Sequence, residues 1–89
     1  MQFRPKHNYE AVAYQWEPEE IIVRVSYSSS GKNGLGELDH FFHVLVSSPK
    51  RGIMFTKKAV TCKGIGVEGT IKAEIGDEAF SALLWKETE

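Results

Sequence analysis

The chain has 89 residues, of which 42% are hydrophobic and 26% charged, and its formal net charge is −1. A chain this short encloses one apolar core, which excludes a multidomain enzyme and gives a single domain over residues 1–89. The composition excludes intrinsic disorder, and the near-neutral balance excludes an overall field that would hold a nucleic acid or an anionic membrane, leaving only local patches for either task.

The chain starts MQFRPKHNYE, basic but with no apolar run behind it, so no secretory leader is expected. No stretch approaches the ~20 apolar residues that a membrane-spanning helix needs. Cys62 is the single cysteine, so no internal disulfide can form and the expected location is a reducing compartment, the cytoplasm.

Taken in order, residues 8–16, NYEAVAYQW, predict an extended segment with Val12, Tyr14 and Trp16 on one side, and Pro18 in EPEE presets a turn after it. Residues 21–27, IIVRVSY, predict a strand with Ile21, Val23, Val25 and Tyr27 facing inward, because β-branched side chains pack well on a pleated surface. The polar stretch SSSGKNGLG, 28–36, reads as a loop.

Residues 37–46, ELDHFFHVLV, place His40 and His43 three apart beside two acidic groups, which on a helix would be half a metal site. The strand-forming Val44, Val46 and phenylalanine pair favour an extended reading with Leu38, His40, Phe42, Val44 and Val46 on one face. Side chains then alternate, so the two histidines point to opposite faces and cannot grip one ion. Asp39 and His43 share a face but stand roughly 13 Å apart along extended chain. The histidines are therefore expected to be packing or hydrogen-bonded residues, with no metal and no cofactor.

After the turn SSPKRG, residues 53–62 predict another strand through Ile53, Phe55, Val60 and Cys62, irregular at Lys57 and Lys58. KGIG then turns the chain into residues 67–75, where Val67, Gly69, Ile71, Ala73 and Ile75 alternate with Glu68, Thr70, Lys72 and Glu74, the pattern of a half-buried strand. In GDEAFSALLWKETE, Asp77 is a candidate helix cap, and Phe80, Leu83 and Leu84 have helical spacing. A short C-terminal helix is expected there, with a strand bearing Phe80, Ala82 and Leu84 inward as the alternative. The whole is mainly β (a β-rich α+β class), a small antiparallel barrel or sandwich of about five strands with a possible short C-terminal helix.

Several motifs are set aside. Gly64-Ile65-Gly66-Val67-Glu68-Gly69 matches the dinucleotide-binding fingerprint by letter, but a strand is expected to follow where that fingerprint needs a helix in a βαβ unit. Gly31-Lys32 lacks the rest of a phosphate loop, and Ser47-Ser48-Pro49-Lys50 lacks the partner motifs of acyl-enzyme chemistry. Cys62 is expected to be a small hydrophobe in an apolar strand. The candidate binding surface is the basic cluster Lys50, Arg51, Lys57, Lys58 and Lys63, with Tyr27, Phe55, Phe41 or Trp16 as aromatic platforms and Glu37, Asp39, Glu68 and Glu74 close enough to offset the charge.

FRPK, residues 3–6, followed by EAVAYQW, residues 10–16, resembles small uncharacterised bacteriophage proteins that open with an FR-x-K segment and an EA-x-x-W strand; EGTIKAEIGD, 68–77, resembles their later strand and Gly-Asp turn. The resemblance implies a phage origin and action on a host protein or host signalling molecule from within the host cytoplasm. The expected function is a non-enzymatic binding module, with a host protein as the leading partner and homodimerisation through sheet edges as a further expectation. The alternatives are a single-stranded nucleic-acid-binding domain resembling the oligonucleotide-binding barrel and a small metal-dependent enzyme using His40 or His43.

Overall fold

In the computed structural model the chain forms β1 (Asn8–Ala13), β2 (Ile21–Lys32), β3 (Leu38–Ser48), β4 (Ile53–Thr61), α1 (Gly66–Ile75), α2 (Asp77–Ser81) and β5 (Leu84–Thr88). The structure describes residues 3–13, 21–32, 34–48 and 52–88, apart from the side chains of 53, 54 and 56–59. The strands make one five-stranded sheet in the order β4-β3-β2-β1-β5, each antiparallel to its neighbours. The mainly β class and the five antiparallel strands hold. The barrel or sandwich does not, because β4 and β5 stand at opposite edges of an open sheet. These two edge strands run in the same direction, so α1 and α2 carry the chain from one edge to the other and cover one face on the way.

The covered face is built by alternation. Ile21, Val23 and Val25 on β2 and Phe42, Val44 and Val46 on β3 are all 0% exposed, as the period of two requires. Tyr9, Ala11 and Ala13 continue this layer on β1, and Val67, Ile71, Ile75, Ala79 and Leu83 close it from above. A register shift in the β3–β4 ladder between Phe42 and Val44 keeps both Val60 and Phe55 on this face, opposite Phe42 and Val46. That is the irregularity expected at Lys57 and Lys58, a bulge inserted so that two strand segments of opposite parity serve one core. The N-terminal segment folds back onto the same face: Phe3 meets Tyr9 and Trp85 at 5.2 Å and Phe42 at 6.3 Å, and the Arg4 N–H donates to the Tyr9 hydroxyl at 2.9 Å.

Five expectations are corrected. Residues 67–75 are helix, not strand, because Val67, Ile71 and Ile75 satisfy a four-residue spacing as well as an alternating one, and the apolar sheet rewards the helical solution. Glu68 and Lys72, four apart and 3.0 Å from each other, add to it. On β1 it is Tyr9, Ala11 and Ala13 that face the core; Val12 faces the other way, and Tyr14 and Trp16 lie outside the described residues. β2 continues through Lys32, so 28–32 is a two-stranded extension paired with β3 rather than loop, and Leu38 on it is 67% exposed. The C-terminal segment is both helix and strand: α2 is capped by Gly76, with no side-chain cap from Asp77, and β5 follows. Cys62 lies beyond the end of β4, exposed rather than buried in a strand.

The step between the helices depends on Gly76, whose φ of 89° and ψ of 161° lie in a region open essentially to glycine alone. We expect Gly76→Ala to destabilise the fold by about 1–3 kcal/mol, read as a lowered urea midpoint with an unchanged slope. An unchanged midpoint would mean that the helices are not joined through this conformation.

Candidate functional site

The residues singled out from the sequence do not form one surface. Tyr27 is half-buried on the helix-covered face, where its ring meets Phe42 edge-on at 5.4 Å and its hydroxyl is 3.2 Å from His40 Nδ1. Phe55 is half-buried and packs against the core. Lys57 stands opposite Val44 on the edge strand, with Lys58 in the bulge beside it. Lys63 lies past the end of β4 and pairs with Glu37 at 3.4 Å. Lys50, Arg51 and Trp16 lie outside the described residues. His40 and His43 occupy opposite faces of β3: His40 bonds Tyr27, and His43 is exposed across from Ser26. Among the described residues no three His, Cys, Asp or Glu side chains converge in a way that would hold a metal.

The structure instead draws attention to the sheet's other face. Among the described residues no helix or strand packs over it, and the ladder places its side chains in cross-strand rows. Leu84, Val12 and Ile22 form an apolar row on β5, β1 and β2. The adjacent row is Lys86, Glu10, Arg24 and Leu45. Glu10 accepts from Arg24 at 2.9 Å and lies 3.7 Å from Lys86, so one carboxylate serves two cations. Its side chain is 24% exposed, whereas those of Arg24 and Lys86 are 61% and 70% exposed. The negative group is tucked against the sheet and the positive groups project from it, so this row offers a net positive surface beside apolar contacts. Leu84 is 67% exposed, and Val12, Ile22 and Leu45 remain half-buried. The sequence reading passed over this surface although its signal was present: in IIVRVSY the residues between the core positions are Ile22, Arg24 and Ser26, an outer face that is not uniformly polar.

A second feature is a cleft of about 320 Å³ between Phe3 and the first turn of α1, lined also by Cys62, Ile65, Val67 and Glu68. Here the Gly64 to Gly69 stretch does follow a strand and enter a helix, contrary to expectation. No βαβ unit results, because β5 pairs with β1 at the far edge instead of lying beside β4. Gly64 and Gly66 take φ of 68° and 62°, so the glycines serve the turn itself.

Below the cleft, Asp39 is 3% exposed. One carboxylate oxygen accepts the His40 N–H at 2.7 Å, and the other is buried without a hydrogen bond. Burial works to raise its pKa, but the His40 N–H, the Thr61 hydroxyl, the Cys62 N–H and the Lys63 charge together hold it below the ordinary carboxylate value. The Cys62 thiol is pushed up, first by the partial covering of its sulfur and then by the Asp39 charge. The thiolate that nucleophilic chemistry requires is therefore disfavoured at neutral pH. We expect Cys62 to alkylate more slowly with iodoacetamide at pH 7.5 than an unperturbed thiol, and Asp39→Asn to accelerate it. Equal rates in the two proteins would show that the carboxylate does not act on the sulfur.

No helix of the described residues is long and apolar enough to cross a membrane. Comparison of the chain with protein-family models, with curated proteins and with solved structures gives no match.

Proposed function

We propose that this chain is a non-enzymatic binding module, phage-encoded, that acts on a host protein through the uncovered face of its sheet. One observation carries the proposal: the helices cover a single face, and the opposite face combines exposed or half-buried aliphatic groups with projecting cations in one ladder-defined patch. An antiparallel sheet tolerates water on one side, but such sides are ordinarily polar. An apolar row bordered by charge is the composition of an interaction surface. The likeness of FRPK and EAVAYQW to small phage proteins supports the host setting.

The test is capture from a bacterial lysate with the tagged chain as bait, read by mass spectrometry, alongside Leu84→Asp on the uncovered face. The proposal expects a stoichiometric host protein with the parent chain and its loss with Leu84→Asp. Absence of any stoichiometric partner, together with a strictly monomeric elution profile, counts against it.

A second reading, binding of a single-stranded nucleic acid, has one observation in its favour: Lys57 and Lys58 lie on the edge strand β4, with Lys63 just beyond it. Such binding would weaken steeply with salt and vanish on charge reversal at Lys57 and Lys58. No retention of oligonucleotides at low salt ends it.

A further inference from the structure

Resting on the binding-module reading, we propose that the uncovered face docks an acidic protein segment, whose carboxylates meet Arg24 and Lys86 and whose aliphatic side chains pack on the row of Leu84, Val12 and Ile22. Charge complementarity decides among the occupants. Among the described residues of these two rows Glu10 is the only acid, and it is already engaged by both cations. A partner must therefore bring negative charge of its own to Arg24 and Lys86, which are otherwise surplus.

A second copy of the chain fits poorly. Stacking two such faces about a two-fold axis through the charged row sets one net positive row against another, and an axis between the rows buries the cations of each copy on the other's apolar row; both are unfavourable. The size of the patch agrees. The two rows cover four strands about 4.8 Å apart and roughly 10 Å of strand length, a footprint of roughly 200 Å², well short of the ~800 Å² per partner that stable complexes bury. A patch of this size suits a short segment of a partner whose association is steered by charge. Nucleic acid would satisfy the cations but leave the apolar row without a partner, since phosphate contacts give nothing to Leu84 or Ile22.

The experiment is selection of a displayed library of random 16-residue peptides on the immobilised full chain. The enriched peptides are then titrated at low and moderate salt against the parent, the Arg24→Glu/Lys86→Glu double variant, Leu84→Asp and a control, Lys32→Glu, at the far end of β2. All the substituted side chains are exposed, and matched thermal melts establish that the variants fold. The proposal expects net-negative peptides rich in Leu, Ile or Val, binding that weakens with salt, a loss of at least tenfold in the double variant and in Leu84→Asp, and a change within twofold in Lys32→Glu. Neutral or basic peptides, or acidic ones indifferent to Arg24 and Lys86, would overturn it while leaving a binding module whose surface lies elsewhere. A dimer in sedimentation that Leu84→Asp dissociates would overturn it in favour of a second copy. Failure of every peptide to enrich, with no partner captured from lysate, would sink this inference and the binding-module reading together.

Discussion

Phe42→Ala is expected to cost about 3–5 kcal/mol, and to leave the protein close to its unfolding midpoint in water. Phe42 is 0% exposed, and its ring meets Tyr27 at 5.4 Å and Phe3 at 6.3 Å, so truncation opens a void bordered by both rings. A domain of this size has on the order of 5–10 kcal/mol in total, so about half of it or more is at stake in one side chain. The adjacent Phe41 supplies an internal control: it is half-buried and faces the opposite side, across from Ser29 and Thr61. We expect Phe41→Ala to cost about 1 kcal/mol, since a half-buried ring on the open face loses only part of the transfer term and leaves no enclosed cavity. Urea unfolding of the two variants checks the register directly. Equal costs would show that the two phenylalanines do not lie on opposite faces.

The second large effect belongs to Asp39. Asp39→Ala removes the acceptor of the His40 N–H and the negative charge that faces Lys63, at the point where the end of β4 and the loop after it meet β3. Loss of a buried charged acceptor costs about 1–3 kcal/mol. The pH dependence follows from the direction of the shift. The folded-state pKa lies below the unfolded value near 3.9, so the unfolded chain takes up the proton first as pH falls. The stabilisation is complete above the unfolded value and is lost as pH drops through the folded one, that is, below about pH 4. Asp39→Asn should flatten that acid limb relative to the parent while leaving the neutral-pH fold in place. An identical acid limb in both proteins would remove Asp39 from the account.

What could be read from the sequence followed local chemistry. β-branched runs announced β2 and β3, and the extended reading of Glu37 to Val46 separated the two histidines correctly, because alternation leaves no freedom once a strand is granted. Residues 66–75 escaped because one apolar pattern fits two periods. Val67, Ile71 and Ile75 are four apart and also even-spaced, so only the apolar sheet face, which is not local information, selects the helix. The phase of β1 escaped for a related reason: Ala11 and Ala13 carry little hydrophobic signal, although both are buried in the core and Ala11 stands beside Trp85 of β5. The uncovered face escaped because it joins two consecutive strands, β1 and β2, to a third from the far end of the chain. Glu10, Arg24 and Lys86 become neighbours only when β5 adds to β1, a pairing between the two ends of the chain.

Solvent paramagnetic relaxation at the aliphatic methyl groups, with a soluble gadolinium chelate as the probe, distinguishes a sheet with one covered and one open face from a sheet covered on both. The one-sided arrangement predicts strong broadening for Val12, Ile22, Leu45 and Leu84, and protection for Val23, Val25, Val44 and Ile71. Protection of Ile22 and Val12 as complete as that of Val23 would contradict it, because the face assigned to a partner would then already be occupied by the chain itself.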